Sequence, residues 1–331
     1  MDEGAQTRPE GVGSAAGVAG GGGAGGSGLG AFRRVMACVG VSPSAGLVVR
    51  EAARLARSCG SELTFLHAGS ERERVVEIVR EGARDEPMLG SVEVIGREGT
   101  PDRVILEEAR RIDADLVFAG ALKSDPLFTG IVGSVARRLA RNADRSLFLS
   151  IHRFPPEGVA RTIVASVMFD DRSRAMVEAA ARLAIGAGAR ELHVVREYDP
   201  YSARMSETTG AAGADSERWE HVQQTATRFE LANFLEECAR RLGVADGAGA
   251  LERSGVALRT ECMAGRGGEE AARYAERVGA DLLVMPAPDR RLGVLDRFFG
   301  HPTETLLEQF PCSVLLFRRL KKGEAAPGVG T

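Results

Sequence analysis

An internal repeat limits the folds open to this chain more than any other feature. The segment "EAARLARSCGSELTFL", which begins at Glu51, is matched by "EAAARLAIGAGARELHVV", which begins at Glu178. Further on, "EARRIDADLVFAG" around Asp115 is matched by "YAERVGADLLVMP" around Asp281. The offset between the copies grows from 128 to 166 residues, so about 38 residues are inserted in the second copy. Two copies of one supersecondary unit therefore account for most of the chain.

Each copy alternates short apolar runs with helical patterns. In the first helix Val48, Ala52 and Leu55 recur at helical spacing and share one face, and Gly60 follows as a stop signal. Strands that alternate with helices pair in parallel, with helices on both faces of the sheet. The predicted fold class is α/β, with two tandem doubly wound, open, parallel-sheet domains of Rossmann-like form. Such sheets bind ligands beyond the carboxyl ends of their strands, where the strand order switches.

Composition excludes several function classes. The 43 basic residues are balanced by 46 acidic ones, which gives no electrostatic indication of a nucleic-acid partner. No apolar run reaches the roughly 18 residues that a membrane helix needs, and the N-terminus has no apolar signal region. We therefore expect no membrane association and a cytoplasmic location. The five cysteines have neither CxxC nor zinc-ligand spacing, so we expect free, mostly buried thiols.

The ends of the chain differ in composition from its centre. Residues 1–31 are mostly Gly, Ala and Ser and are predicted to form a disordered arm, and residues 322–331 a flexible tail. Between them we predict domain 1 over residues 32–154. Domain 2 is predicted over residues 155–321, with the longer central helical segment.

The order of these segments resembles two tandem copies of the universal stress protein domain. The resemblance rests on the first-helix segment, the turn with Gly99 and Pro101, the "DADLVFAG" strand, and a helix start at Gly133 and Ser134. It covers roughly residues 33–153 and 160–319, which is nearly all of the chain predicted to be ordered. The family implies pairing through the last strand of each copy, so "SLFLSIHR" and "CSVLLFRR" are expected to meet in an intramolecular pseudo-dimer, where pairing removes two exposed edges.

Nucleotide-binding members of that family resemble the pattern G-x2-G-x9-G-[ST] after the fourth strand. Here Gly120 holds the first position, and Gly133 with Ser134 the last two, followed by Val135. Glycines let backbone amides approach phosphate oxygens, and a helix N-terminus adds positive partial charge. Lys123 replaces the middle glycine and is either a phosphate contact or a solvated surface charge. Ser134 also suits a helix N-cap without any ligand.

The residues that would contact the adenine base differ from those of the family's nucleotide-binding members. Gly40 stands where nucleotide-binding members carry an aspartate, at the end of the first strand. Val39 and Ser42 on this strand end, and Gly99 in the later turn, complete the binding residues that the resemblance implies. The expected ligand is ATP or AMP, with Mg²⁺, bound weakly.

The second copy departs further from a nucleotide site. Pro286 stands opposite Gly120, and Asp289 opposite Lys123. Pro302 and Glu304 follow in the first turn of the next predicted helix. Proline has no N–H to donate, and a carboxylate already occupies the positive end of the helix. Copy 2 is therefore predicted not to bind nucleotide.

Other polar or aromatic residues receive structural interpretations. His193 is expected to be a buried, hydrogen-bonded side chain. Asp170, with Asp171, is expected to belong to a turn, and a metal site is the alternative. On the inserted helix, Trp219, Phe229 and Phe234 are expected to cover the sheet or the other copy.

The functional prediction is a stress-response binding or regulatory module and not an enzyme. No nucleophile pairs with a base, and no carboxylate pair has a spacing that requires acid–base chemistry. Two alternatives stay open: a slow adenine-nucleotide hydrolase, and an interaction protein that binds no nucleotide. A homo-oligomer or another protein partner also stays open.

Overall fold

The computed structural model describes residues 31–82, 84, 93–120, 133–151, 154–156, 158–199, 215–241, 251–287 and 311–319. Copy 1 contains β1 (Arg34–Cys38), α1 (Ala45–Cys59), β2 (Glu62–Ala68), α2 (Arg72–Gly82), β3 (Glu93–Arg97), α3 (Pro101–Arg111), β4 (Leu116–Gly120), α4 (Ser134–Asn142) and β5 (Ser146–Ser150). Copy 2 contains β6 (Thr162–Val167), α5 (Asp171–Ala187), β7 (Glu191–Tyr198), α6 (Asp215–Arg241), β8 (Ala257–Ala264), α7 (Glu269–Arg277), β9 (Leu282–Pro286) and β10 (Ser313–Phe317).

The described strands form one continuous sheet in the order β3-β2-β1-β4-β5-β10-β9-β6-β7-β8. All pairs within each copy are parallel, and the one pair that joins the copies is antiparallel. This confirms the predicted doubly wound halves. The strand order switches between β1 and β4 in copy 1 and between β6 and β9 in copy 2. These two places are where open α/β sheets bind ligands.

The aspartate that recurs in the repeat has a structural role in both copies. The Asp115 carboxylate accepts hydrogen bonds from the backbone amides of Arg33 at 2.8 Å and Arg34 at 3.0 Å. Asp281 accepts from the amides of residues 161 and 162 at 2.7 and 3.0 Å. Each carboxylate therefore ties the turn before its fourth strand to the start of its first strand.

Helix α1 buries the face that its sequence predicts. Val48, Ala52 and Leu55 all lie in the core. The same helix packs against α5 of copy 2, where a Cβ on Gly186 would lie 1.9 Å from the carbonyl oxygen of Ser58. Only glycine permits this approach of the two backbones, so the helices meet across the copies at Gly186.

Strands β5 and β10 join the copies. Their register pairs Phe148 with Leu315, and each is the third residue of its strand. Equivalent residues therefore face each other at the centre of the junction, as they do on the two-fold axis of a symmetric dimer. This is the pairing expected for the last strands.

Serine hydroxyls extend that junction at both of its ends. Ser146 Oγ accepts a hydrogen bond from the backbone amide of Arg318 at 3.1 Å and lies 3.2 Å from its carbonyl oxygen. At the opposite end, Ser313 Oγ accepts from the amide of Ile151 at 3.2 Å. Ser146 and Ser313 are the first residues of their strands. The hydroxyls thus satisfy backbone groups beyond the last ladder bonds.

The inserted helix α6 only partly follows the sequence expectation. Leu231, Phe234 and Cys238 are buried at helical spacing and pack on the sheet face. Phe229, however, is 69% exposed, so the expectation that it covers the sheet was wrong. Phe229 lies five residues before Phe234, which is half a turn off the buried stripe. The side chain of Trp219 lies outside the described residues.

The cysteines in the described elements are free. Burial raises the pKa of the Cys59 and Cys312 thiols to about 12, so both stay protonated and packed as small apolar side chains. Among the described helices, none combines the length and the apolar character required to cross a membrane.

Candidate functional site

The predicted phosphate-binding residues of copy 1 lie at the carboxyl edge of the sheet, at the switch between β1 and β4. The register pairs Cys38 with Ala119, so Val39 and Gly120 follow side by side. Helix α4 begins at the same edge because it connects two parallel strands, β4 and β5. Lys123 lies between the two elements, outside the described residues.

Packing explains why residue 120 is a glycine. A Cβ at Gly120 would lie 2.5 Å from Cγ2 of Val48, a buried residue of α1. Any side chain would push α1 away from the end of β4. The identity of Gly120 is therefore required by the fold, whether or not a phosphate binds nearby.

Gly133 has no such explanation. It is the N-cap residue of α4, with φ −57° and ψ 153°, and it is exposed. Among the described residues, a Cβ there would meet nothing within 4 Å, and other residues adopt this backbone conformation readily. Ser134 is exposed as the first helical residue and so is not the N-cap, which corrects that interpretation. Val135 is half-buried.

The first turn of α4 offers unneutralised positive charge. It contains no acidic side chain, and no side-chain hydrogen bond caps the helix. The free N–H groups and the helix dipole make such an end favourable for an anion. Gly133 leaves the approach to these amides open, because no Cβ stands in front of them.

The base side of the site is largely occupied by the protein's own hydrogen bonds. The amide of Val39 donates to the carbonyl of Leu66 at 2.9 Å, and the Val39 carbonyl accepts from Nδ1 of His67 at 2.9 Å. His67 is buried and uses this bond to join the ends of β1 and β2. A Cβ at Gly40 would meet no atom of the described part of the chain within 4 Å, so crowding from those residues does not explain why this position lacks an acid.

Two further predicted residues take positions at the margin of the site. Ser42 is exposed in the loop before α1, with its Oγ 3.1 Å from Oγ of Ser44. Gly99 follows the edge strand β3, and β2 separates that strand from β1. Its φ of 137° and a Cβ position 2.9 Å from Val104 both require glycine. The structure therefore does not bring Gly99 beside Gly120, and the turn accounts for its identity.

The same edge of copy 2 contains an acidic cap. Asp170 is the N-cap of α5 and accepts a hydrogen bond from the Ser173 amide at 2.7 Å. Burial opposes ionisation, but the bonds from Ser173 and the pairing with Arg172 outweigh it and hold the pKa of the Asp170 carboxyl below its ordinary value. This confirms that Asp170 belongs to a turn.

A second acid of copy 2 was not found by sequence reasoning. Buried Glu197 accepts hydrogen bonds from the amides of Gly268 and Ala271, both at 2.8 Å, at the start of α7. Ala68 occupies the equivalent place in copy 1. The available signal was a glutamate near the end of a buried strand, in a copy whose later turn is rich in glycine. Pro286 ends β9, whereas Asp289, Pro302 and Glu304 lie outside the described residues.

The comparisons with known proteins agree with this architecture. The model of the universal stress protein family matches residues 69–149 and 160–318, well over half of the chain. The chain belongs to the universal stress protein family. A functionally unknown protein from Pseudomonas aeruginosa PAO1 is 19% identical, with a TM-score of 0.61 and coverage of 88% of this chain and 94% of that one. A universal stress protein from Archaeoglobus fulgidus DSM 4304 is 13% identical, with a TM-score of 0.52 and coverage of 88% and 97%.

These structural likenesses show the shared fold. A search of curated proteins found no match. The family match in copy 1 begins at residue 69, after β2. The structure shows that β1, α1 and β2, which precede the matched residues, belong to the same domain of this universal stress protein.

His193 of this universal stress protein is a buried, fully bonded residue, as predicted. Its Nδ1 lies 2.8 Å from the Tyr274 hydroxyl, and its Nε2 lies 3.0 Å from Oε2 of Glu191. The bond with His193, assisted by Arg259, holds the pKa of Glu191 below its ordinary value. Within the described ranges, no group of three or more His, Cys, Asp or Glu side chains could hold a metal ion.

Proposed function

We propose that this universal stress protein is a cytoplasmic stress-response binding and regulatory protein, and that copy 1 binds the phosphates of ATP or AMP at the start of α4. The observation that carries the proposal is Gly133. It is exposed, a Cβ on it would meet no atom of the described residues within 4 Å, and its backbone conformation does not require a glycine. A glycine here is explained if the adjoining backbone amides bind an anion, because the missing Cβ lets the anion approach them.

The expected affinity is low. An anion at a helix N-terminus gains about 0.3–1 kcal/mol from the dipole, and the amide hydrogen bonds add to this. The adenine base would find few hydrogen-bond partners, because Gly40 has no side chain and both backbone groups of Val39 already have partners. Residues Ser134 and Val135 would supply amides to the phosphates, and Mg²⁺ would accompany ATP.

For copy 2 we propose that no nucleotide binds. The starts of α5 and α7 are already occupied by the carboxylates of Asp170 and Glu197. A phosphate at either of these helix starts would meet negative charge. The counterpart of α4 lies outside the described residues, and there the proposal rests on Pro302 and Glu304 in the sequence.

Calorimetric titration of ATP and of AMP, each with Mg²⁺, tests this proposal. The full chain is compared with Gly133→Asp, which adds a charge and a side chain, and with the matched control Gly133→Ala. We expect binding by the parent, weaker binding by Gly133→Ala and none by Gly133→Asp. Absence of binding by the parent would reject nucleotide binding and leave the interaction protein as the better description.

We further propose binding without turnover. Release of inorganic phosphate from ATP by the parent, lost in Ser134→Ala, would instead establish the slow hydrolase. Whether the chain forms a homo-oligomer or binds another protein stays a prediction, which the molar mass of the purified chain by light scattering would test for the oligomer.

A further inference from the structure

Copy 2 places an arginine where copy 1 has His67. The two residues occupy equivalent positions near the ends of β7 and β2. His67 donates to the carbonyl of Val39 at 2.9 Å. Arg196 reaches the carbonyl of Val167, the residue equivalent to Val39, but only at 3.4 Å through Nη1. A larger, permanently charged group therefore stands at the carboxyl edge of copy 2.

The hydrogen-bond donors of Arg196 are incompletely satisfied. Its guanidinium carbon lies 5.0 Å from the centroid of the Phe169 ring, and a ring face accepts no ordinary hydrogen bond from it. Its Nε is buried and has no hydrogen-bond partner, and in the described part of the chain Arg196 forms no ion pair. A half-buried guanidinium with unmade hydrogen bonds is unfavourable unless something else supplies the acceptors.

The nearest carboxylates do not supply them. Asp170 is bonded to the Ser173 amide, and Glu197 is bonded to amides at the start of α7. Glu230 lies on an exposed part of α6 and acts on Arg196 only from a distance. Burial lowers the pKa of Arg196, and the effect of these acids does not offset it.

Two neighbouring residues give this edge an apolar rim. Met168, directly after β6, is 58% exposed, whereas the equivalent residue of copy 1 is Gly40. Phe169 has a φ of 58°, which is strained for a bulky side chain, and its ring centroid lies 5.4 Å from that of Phe234. Strained residues of this kind cluster at ligand sites. The strain, the under-bonded arginine and the exposed methionine all meet at the strand-order switch of copy 2.

We propose that copy 2 binds a small organic monocarboxylate with an apolar body, through Arg196, Met168 and Phe169. The guanidinium edge matches the two oxygens of a carboxylate, and Met168 with Phe169 contacts the apolar part. A single negative charge fits better than a phosphate dianion, because Asp170, Glu197 and Glu230 all act electrostatically on the arginine and would repel an anion. The two copies then bind different ligands at equivalent edges of one sheet.

Saturation-transfer NMR with benzoate on the full-length chain tests the proposal, with benzyl alcohol as the uncharged control. We expect saturable benzoate binding, a much weaker signal from benzyl alcohol, and unchanged binding in Gly133→Asp, which alters only copy 1. Arg196→Gln removes the guanidinium group that would pair with the carboxylate. Met168→Glu adds, at an exposed position, a negative charge that would repel the benzoate carboxylate. Each is expected to weaken benzoate binding at least about tenfold.

The charge argument is tested by Glu230→Gln, which removes a repulsive neighbour and is expected to tighten benzoate binding. No saturable binding by the parent, or equal binding by Arg196→Gln and Met168→Glu, would overturn the proposal. Inorganic phosphate that displaces benzoate at lower concentration would overturn the choice of a monocarboxylate. If Arg196→Gln fails to fold by circular dichroism, Met168→Glu decides the matter, because an exposed side chain is not needed for folding.

Discussion

The carboxyl edges of the two copies have the same topology but carry different side chains. In copy 1 the edge has a helix start without an acid, an open Gly133 and an open Gly40. In copy 2 the protein's own carboxylates, Asp170 and Glu197, occupy the starts of α5 and α7, the counterparts of α1 and α3, whereas the counterpart of α4 lies outside the described residues. One fold, used twice in a single chain, thus presents a helix start without an acid at one edge, and carboxylate-bonded helix starts beside a half-buried arginine at the other. The comparison shows that the fold positions a site, while a few side chains decide what it accepts.

The largest effect that bears on this comparison is expected at Glu197. Glu197→Ala leaves the amides of Gly268 and Ala271 buried without an acceptor, so we expect a loss of about 3 kcal/mol in the free energy of unfolding. Glu197→Gln keeps an oxygen acceptor and should lose less. Urea denaturation of both variants measures the difference. Equal stability of Glu197→Ala and the parent would show that this carboxylate does not close the helix start.

The two glycines of the copy 1 site should respond differently to alanine. Gly120→Ala forces a Cβ to within 2.5 Å of Val48 and is expected to destabilise the protein by about 1–3 kcal/mol. Gly133→Ala meets open space and should change stability by less than about 0.5 kcal/mol. Thermal unfolding of the pair provides the measurement. A similar loss in both variants would contradict the distinction between a packing glycine and a site glycine.

The base side of copy 1 can be made more like the nucleotide-binding pattern of the family. Gly40→Asp adds an acceptor in open space, and we expect it to strengthen ATP binding about tenfold. The matched control is Gly40→Asn, which has similar size and no charge. Calorimetric titration compares the two. Unchanged affinity in Gly40→Asp would mean that the base does not lie near the end of β1.

The smallest effect concerns acid stability. Because the pKa of Asp170 is lower in the folded protein than in the unfolded chain, its ionised form stabilises the fold at neutral pH. That contribution is full above the unfolded pKa of about 3.9 and is lost as the pH falls through the lower folded value. Asp170→Asn should therefore flatten the acid limb of a stability-against-pH curve. Ser42, its equivalent in copy 1, gives Ser42→Asn as a control in which that limb stays unchanged.

Local patterns predicted much of the fold. The spacing of Val48, Ala52 and Leu55 indicated the buried face of α1, and the alternation of elements indicated parallel sheets. The same reasoning failed for Phe229, because an aromatic residue on a helix can lie on either face and only the packed neighbours decide which one.

The sequence predicted which residues form the candidate site, but it did not show the physical reason for each of them. Gly120, Gly133 and Gly99 are all glycines, and the sequence alone does not say why each one is. Packing against Val48 requires Gly120, and the positive φ of its turn requires Gly99. Gly133 has neither explanation, which makes it the candidate for a ligand contact. Contacts between residues far apart in the chain separate these cases. Glu197 escaped prediction for the same reason, since its amide partners lie more than seventy residues away.

The sequence by itself determined the repeat, the order of strands and helices, and the parallel halves, because these depend on periodicity and on short-range chirality. Only the tertiary structure decided the register in which β5 and β10 meet, with Phe148 opposite Leu315, and which helix starts bind a buried carboxylate. These outcomes depend on close contacts between distant backbone segments, such as Gly186 and Ser58. They also depend on which backbone amides donate to a buried carboxylate, as Gly268 does to Glu197. Such long-range contacts leave no periodic trace in the chain.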